Sequence, residues 1–324
     1  MVGLVLPVLL LTVGAALLTA GAEAFAENVT AASARLGVSV LALGLLLAGA
    51  EPEEAVTAML ASAQGHPALA AGDAIGANLV ILTLTLGLAG LVTRLPVSRR
   101  SLEYAVASAV LGAVVWLFLV NGVLARTEGL LLVLAYAAGV VWVWRRERQP
   151  PVIGEIAEIA EFDGLERVGH RDAAEPDSGR PLLIVLLGVL GMVAGGALAV
   201  RGAEGLVDVL SVGESVIGLT LLALATSAEM VALVWAARRR GITDVVVAGT
   251  VGAVAYNATV SLGLAGLVSP LGLGRHNAVT SVAGVTAALP LVLLLGHRKG
   301  VLPRTLSAVL VLGYIAVTAW LFSR

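Results

Sequence analysis

The chain has no cysteine, so disulfides, thiolate metal sites and cysteine nucleophiles are excluded, and any metal ligand must be oxygen or histidine. Charged residues make up only 13% of its 324 residues, and they fall in short stretches between long apolar runs rather than in a basic patch. That distribution excludes a nucleic-acid partner. The histidines, His66, His170, His276 and His297, show no metal-ligand spacing, and neither a Ser/His/Asp arrangement nor a phosphate-binding loop occurs. Hydrolase and ATPase readings have no residues to stand on, so no enzyme activity and no cofactor are expected.

What is present is hydrocarbon. Apolar residues reach 59% of the chain and its mean hydropathy is +0.99, far outside the range of a soluble globular protein. Crossing roughly 30 Å of hydrocarbon as a helix takes about 20 residues. Ten runs qualify, at about 3–21, 36–62, 70–93, 103–123, 129–144, 181–200, 212–237, 243–268, 278–296 and 302–322. The first lacks a basic flank and a small-residue cleavage site, so it reads as a span rather than a signal peptide. The chain is thus predicted to be an all-α polytopic membrane protein whose surroundings are lipid bilayer.

Drawing ten spans sorts the basic residues by side: sixteen of the twenty Lys and Arg lie on the side reached after the odd-numbered spans. The positive-inside rule makes that side cytoplasmic, in a cell (inner) membrane, with both termini external. The sizeable polar segment 145–180 then becomes a cytoplasmic linker with nine acidic residues and six arginines. Within it Ile153, Ile156, Ile159 and Ala160 alternate at helical spacing with Glu155, Glu158 and Glu161, the pattern of a short amphipathic helix.

An offset of 176 residues superposes the two halves: Gly37 falls on Gly213, Ser39 on Ser215, Glu53 on Glu229, Gly76 on Gly252, Thr83 on Thr259, Gly87 on Gly263 and Gly90 on Gly266. The chain therefore divides into a first five-helix repeat, 1–144, and a second, 181–324, with the duplicated motifs near 37–90 and 213–266. Five is odd, so the second copy enters the membrane from the opposite side. Ten transmembrane helices as two inverted repeats is the build of many secondary transporters, whose substrate site lies at the midplane on interrupted helices.

A carboxylate near the middle of a membrane costs at least about 2.5–3.5 kcal/mol and marks an ion or proton path. The runs 36–62 and 212–237 carry such groups: Gly49-Ala50-Glu51-Pro52-Glu53-Glu54, and Ala225-Thr226-Ser227-Ala228-Glu229-Met230. Pro52 removes a backbone donor and disfavours helix at Glu51, while Gly49 loosens the turn before it. In the second copy Thr226 and Ser227 supply hydroxyls that take up freed backbone groups.

At these residues the chain resembles the cation/calcium exchanger superfamily. Gly21-Ala22-Glu23 through Ala34-Arg35-Leu36-Gly37-Val38-Ser39, then Pro52-Glu53, looks like the first repeat motif. Ile217-Gly218-Leu219-Thr220-Leu221-Leu222-Ala223 through Thr226-Ser227-Ala228-Glu229 looks like the second. The resemblance implies that Glu53 and Glu229 are the central cation ligands. It implies that the next helix of each repeat completes the site in a Gly-Ser-Asn-x-x-Asn/Asp pattern. Here that pattern reads Gly76-Ala77-Asn78-Leu79-Val80-Ile81 and Gly252-Ala253-Val254-Ala255-Tyr256-Asn257, so Asn257 keeps the inner position and Ile81 loses it. The Gly-Thr-Ser-x-Pro-Glu signature is also altered, and the shorter spacing of the second copy is nearer the proton-coupled branch.

Calcium takes six to eight hard oxygens. The expected set is Glu53, Glu229, Asn257, the hydroxyls of Thr226 and Ser227 and carbonyls near Gly49 and Ala225, with Glu51, Glu54 and Asn78 as further candidates. Asp73 and Asp244 are expected to cap helices, Thr83, Thr85, Thr259 and Ser261 to bond their own helix carbonyls, and Glu23 and Glu204 to lie near the mouths. The function implied is a secondary antiporter exporting Ca2+ or a related divalent in exchange for H+ or Na+. A Na+/H+ or K+-handling antiporter without a Ca2+ site and a non-transporting cation-binding membrane protein are the alternatives.

Overall fold

The computed structural model describes residues 2–35, 51–147, 180–228, 230–231, 234 and 243–323. The candidate residues Gly49 and Glu229 and the linker with its amphipathic stretch lie outside them. The described chain is helical apart from one short ribbon. In order come α1 (Val2–Arg35), α2 (Pro52–Ala63), α3 (Pro67–Val92), α4 (Arg99–Leu119), α5 (Arg126–Glu147), α6 (Arg180–Leu210) and α7 (Glu214–Thr226). There follow α8 (Thr243–Tyr256, running on into Leu262–Val268), α9 (Ala278–His297) and α10 (Arg304–Phe322). Eight of these are long and apolar enough to cross a membrane, while α2 and α7 are shorter. They are the described parts of the two runs that carry the carboxylate motifs.

Burial sorts the helices into two layers. In α3 and α8 78% of the apolar stretch is buried, against 17–39% in the other six long helices. The six present leucines, valines and tryptophans outward, as lipid-facing helices do. The two interior helices share a construction. Each contains one widened turn, Val80–Thr85 in α3 and Asn257–Ser261 in α8, and α7 has a third at Gly218–Leu222. In each widened turn a threonine hydroxyl bonds the carbonyl four residues back: Thr83 to Leu79, Thr220 to Val216 at 2.5 Å and Thr259 to Ala255 at 2.5 Å. Such back-bonding competes with the backbone ladder and loosens a helix locally, and widened turns of this kind cluster at functional sites. After the turn, α3 and α8 carry the same seven residues, Leu-Gly-Leu-Ala-Gly-Leu-Val, at 86–92 and 262–268. The two copies meet different partners. Gly87 packs against Ser307 and Val311 of α10, and Gly263 against Gly129 and Val133 of α5.

The longest contact is between α1 and α6, which run antiparallel. Gly14 and Gly21 on one, and Gly188, Gly195 and Gly202 on the other, recur every seven residues along the seam. A Cβ at any of the five would come within 2.5–2.7 Å of facing backbone. In lipid, where no hydrophobic drive pulls helices together, such small-residue seams let backbones touch and gain dispersion contacts. Expected to stop near residue 21, α1 instead continues to Arg35; its Glu23 is exposed and does not interrupt the helix.

Loops expected on one side of the membrane do meet one another. Val123–Leu124 pairs antiparallel with Leu271–Gly272. At the other end Pro96 bridges Val301, and Leu302 donates to the carbonyl of Leu95 at 2.9 Å. His66, which precedes α3, contacts Glu204 of α6 at 2.7 Å and Glu214 of α7 at 2.9 Å, so Glu204 belongs to a bridge between elements rather than a bare mouth.

Candidate functional site

Pro52 starts α2, where its missing N–H and fixed φ suit the first helical position. Glu51 before it is non-helical, at φ −104 and ψ 76, and Glu53 and Glu54 form the first turn, where the helix dipole favours negative charge. All three carboxylates are at most 2% exposed. On the facing element α7 stops at Thr226, and Ser227 leaves the helix at φ −85 and ψ 11. The break inferred for the second copy, which has no proline, therefore falls at Thr226-Ser227. Thr226 lies within 3.2 Å of the Leu222 and Ala223 carbonyls at that helix end.

The carboxylates divide between two groups of partners. Asn257, the first residue of the widened turn of α8, donates its amide to Glu51 Oε2 and accepts from Ser261 at 3.2 Å through Oδ1. Tyr256 beside it meets Tyr136 edge to face, centroids 5.6 Å apart, in a buried cluster that includes Ala55. Glu54 accepts from the Ser227 hydroxyl at 2.8 Å. Next to it stands Asp73, which accepts from the Thr226 hydroxyl at 3.2 Å and faces the Glu54 carboxyl. Carboxylates, hydroxyls and an amide from α2, α3, α7 and α8 thus converge in the interior.

Several expectations change. Asp73 is not a cap: α3 begins at Pro67, His66 holds the cap position, and Asp73 is fully buried well inside the helix. At the 176-residue offset its counterpart is Gly249, so the repeat comparison that flagged the glutamates passed over it. Asn78 is on α3 but about 140° around it from Asp73. It lines a small cavity with Ser108 and Thr286 instead of joining the carboxylates. Ile81 lies in an apolar cluster with Ala77, Leu82, Met230, Ala253 and Val254. Thr83 and Thr259 bond helix carbonyls as expected, but Ser261 bonds the Asn257 side chain and Thr85 finds no hydrogen-bond partner among the described residues. Ala225 is half-buried within the last turn of α7, and Asp244 is the second residue of α8.

Buried hard oxygens thus gather where α2 begins and α7 ends. The sodium/calcium exchanger protein family model matches residues 3–145 and 180–323, and the chain belongs to that family. It is an integral membrane protein and a secondary transporter, not an enzyme. Inner membrane protein YrbG of Escherichia coli (strain K12) is 30% identical over 244 residues, 72% of this chain and 69% of that one. Putative antiporter CaxA of Alkalimonas amylolytica is 24% identical over 96% of this chain and 97% of its own. Among solved structures, the sodium-calcium exchanger NCX_Mj shares the fold at a TM-score of 0.60 and 20% identity, covering 98% of this chain and 99% of that one.

Proposed function

We propose that the protein is a cation antiporter that exports Ca2+ or a related divalent in exchange for H+ or Na+ by alternating access. The observation that supports this best is the burial together of Glu51, Glu53, Glu54 and Asp73 with Thr226, Ser227 and Asn257, at the start of α2 and the end of α7. Hard carboxylate, amide and hydroxyl oxygens suit Ca2+, which takes six to eight of them. Glu229 and the carbonyls near Gly49 and Ala225 complete the set in this reading. The same carboxylate oxygens bind either a cation or a proton, so the two compete at one site.

The coupling ion we favour is H+. Asn257 offers one flank of the site an amide, whereas Ile81, its repeat mate, is buried among hydrocarbon. A proton needs only the carboxylates; Na+ needs the oxygens that the Ile81 flank lacks. The test is flux in proteoliposomes: Ca2+ uptake driven by an imposed pH gradient, with Na+ gradients giving less. No Ca2+ flux under either gradient, alongside dissipation of the pH gradient by Na+, would replace this reading with a Na+/H+ antiporter.

In the architecture we propose, ten helices form two inverted five-helix repeats, with the ribbon of Val123–Leu124 and Leu271–Gly272 outside and the Pro96–Val301 end in the cytoplasm. Because the chain has no cysteine of its own, single cysteines report topology without background. Ser178→Cys and Ser323→Cys are expected to react with an impermeant thiol reagent from opposite sides of the membrane. Labelling from one side overturns the span count.

A further inference from the structure

The structure assigns Asp73 as a cation ligand, in a subsite it shares with Glu54, Thr226 Oγ1 and Ser227 Oγ. This rests on the antiporter reading and adds to it a carboxylate that the family pattern does not supply.

The subsite is made by a close helix approach. A Cβ on Gly76 would come within 2.7 Å of Leu219 and Ala223, and one on Gly218 within 2.8 Å of the Leu69 carbonyl, so α3 and α7 touch backbone to backbone. That contact carries Asp73 to the end of α7. There Oδ1 accepts from Thr226 at 3.2 Å, while Oδ2 is buried and no hydroxyl or amide among the described residues donates to it. The other hydrogen-bond partner of Asp73 is the Glu54 carboxyl, itself held by Ser227 at 2.8 Å. No basic side chain among the described residues pairs with Asp73.

A polar pin between two helices needs one donor and one acceptor, which Thr226 and a neutral side chain at position 73 would provide. A second carboxylate beside the first is superfluous to such a pin and unfavourable in a low-dielectric interior. Two carboxylates and two hydroxyls instead make a hard-oxygen donor set whose charge a divalent cation balances. With carboxylates binding through one or both oxygens, these four groups provide four to six of the oxygens that Ca2+ takes, and water or backbone carbonyls fill the remainder.

The experiment uses the full-length protein in detergent and in proteoliposomes, with Ca2+ as the probe. Asp73→Asn keeps an oxygen for the Thr226 hydroxyl and removes only the charge. Its melting temperature without Ca2+ is expected to match the parent's. Its half-saturating Ca2+, read both by thermal stabilisation and by flux, should rise at least about tenfold, in keeping with loss of one charged ligand. A parent-like half-saturation in both readouts overturns the assignment. If Asp73→Asn fails to fold, Asp73→Glu decides: the longer arm keeps the charge but resizes the subsite, so the Ca2+/Sr2+ preference should shift. An unchanged preference overturns the assignment as well. A parent protein that neither binds nor moves Ca2+ would bring down the antiporter reading itself, and this subsite with it.

Discussion

Glu53→Gln is expected to lower Ca2+ flux in proteoliposomes at least about 100-fold, equivalent to about 2.7 kcal/mol, while the protein still purifies as a folded species. The substitution keeps the shape and most of the hydrogen-bonding capacity of the side chain and removes only its charge. Glu53 is 1% exposed and lies in the first turn of α2, immediately beyond the proline that starts the helix. A cation entering such a place exchanges its water for protein oxygens, and a neutral amide compensates that loss far less well than a carboxylate. The matching change in the second copy, Glu229→Gln, is expected to act alike. Flux at the parental level in both variants would remove these two residues from the site. Glu53→Asp, which keeps the charge on a shorter arm, should fall between the two extremes.

A second large effect is expected at Asn257, and it separates the two ions. Asn257→Ile makes the second repeat resemble the first, where Ile81 occupies the corresponding place. The substitution takes the amide donor from Glu51 and the acceptor from the Ser261 hydroxyl, both buried. Removing a partner from a buried polar group costs up to about 1–3 kcal/mol, more where the group is charged. Half-saturating Ca2+ should rise by about tenfold or more, while proton movement, which needs only carboxylate oxygens, should change by no more than about threefold. If Ca2+ transport stays at the parental level, α8 contributes nothing to the cation path.

Much of this was legible in the residues, for reasons that particular positions make clear. Pro52 punctuates an apolar run and disfavours helix at Glu51, so an irregularity there was legible, although the run 36–62 reads as one span and the start of α2 at Pro52 is seen only in the fold. Glu51, Glu53 and Glu54 stood out because ionisable groups are rare in such runs. Asp73 did not, since an aspartate near the expected start of a helix has a local explanation in capping. Only the true start at Pro67 takes that explanation away. The widened turns were hidden for a different reason. Each adds one residue to a continuous apolar stretch and so changes the phase of the helix without changing its composition. The one trace was the pairing of Thr83 with Thr259 across the repeat. Asn78 precedes the widened turn, and ordinary helical spacing turns it toward Ser108 and Thr286 although it shares a motif with Ile81 in the sequence.

The packing of the identical segments 86–92 and 262–268 bears on how the molecule is made. The first docks on α10 and the second on α5, so the last helix before the linker rests on a helix made after it, and the final helix rests on one made long before. Other contacts cross the linker in the same way: α1 lies along α6, α4 against α8 and α9, and α3 against α7. A nascent chain synthesised only as far as the linker has inserted its first helices without most of the surfaces they are shaped to meet. Their glycine faces and buried carboxylates must then wait in the bilayer for partners still to be translated. Assembly is therefore a late event that waits for α10 to leave the ribosome and close on α3. Cells that make the first 147 residues alone should degrade them, whereas supplying residues 148–324 as a separate chain should rescue both.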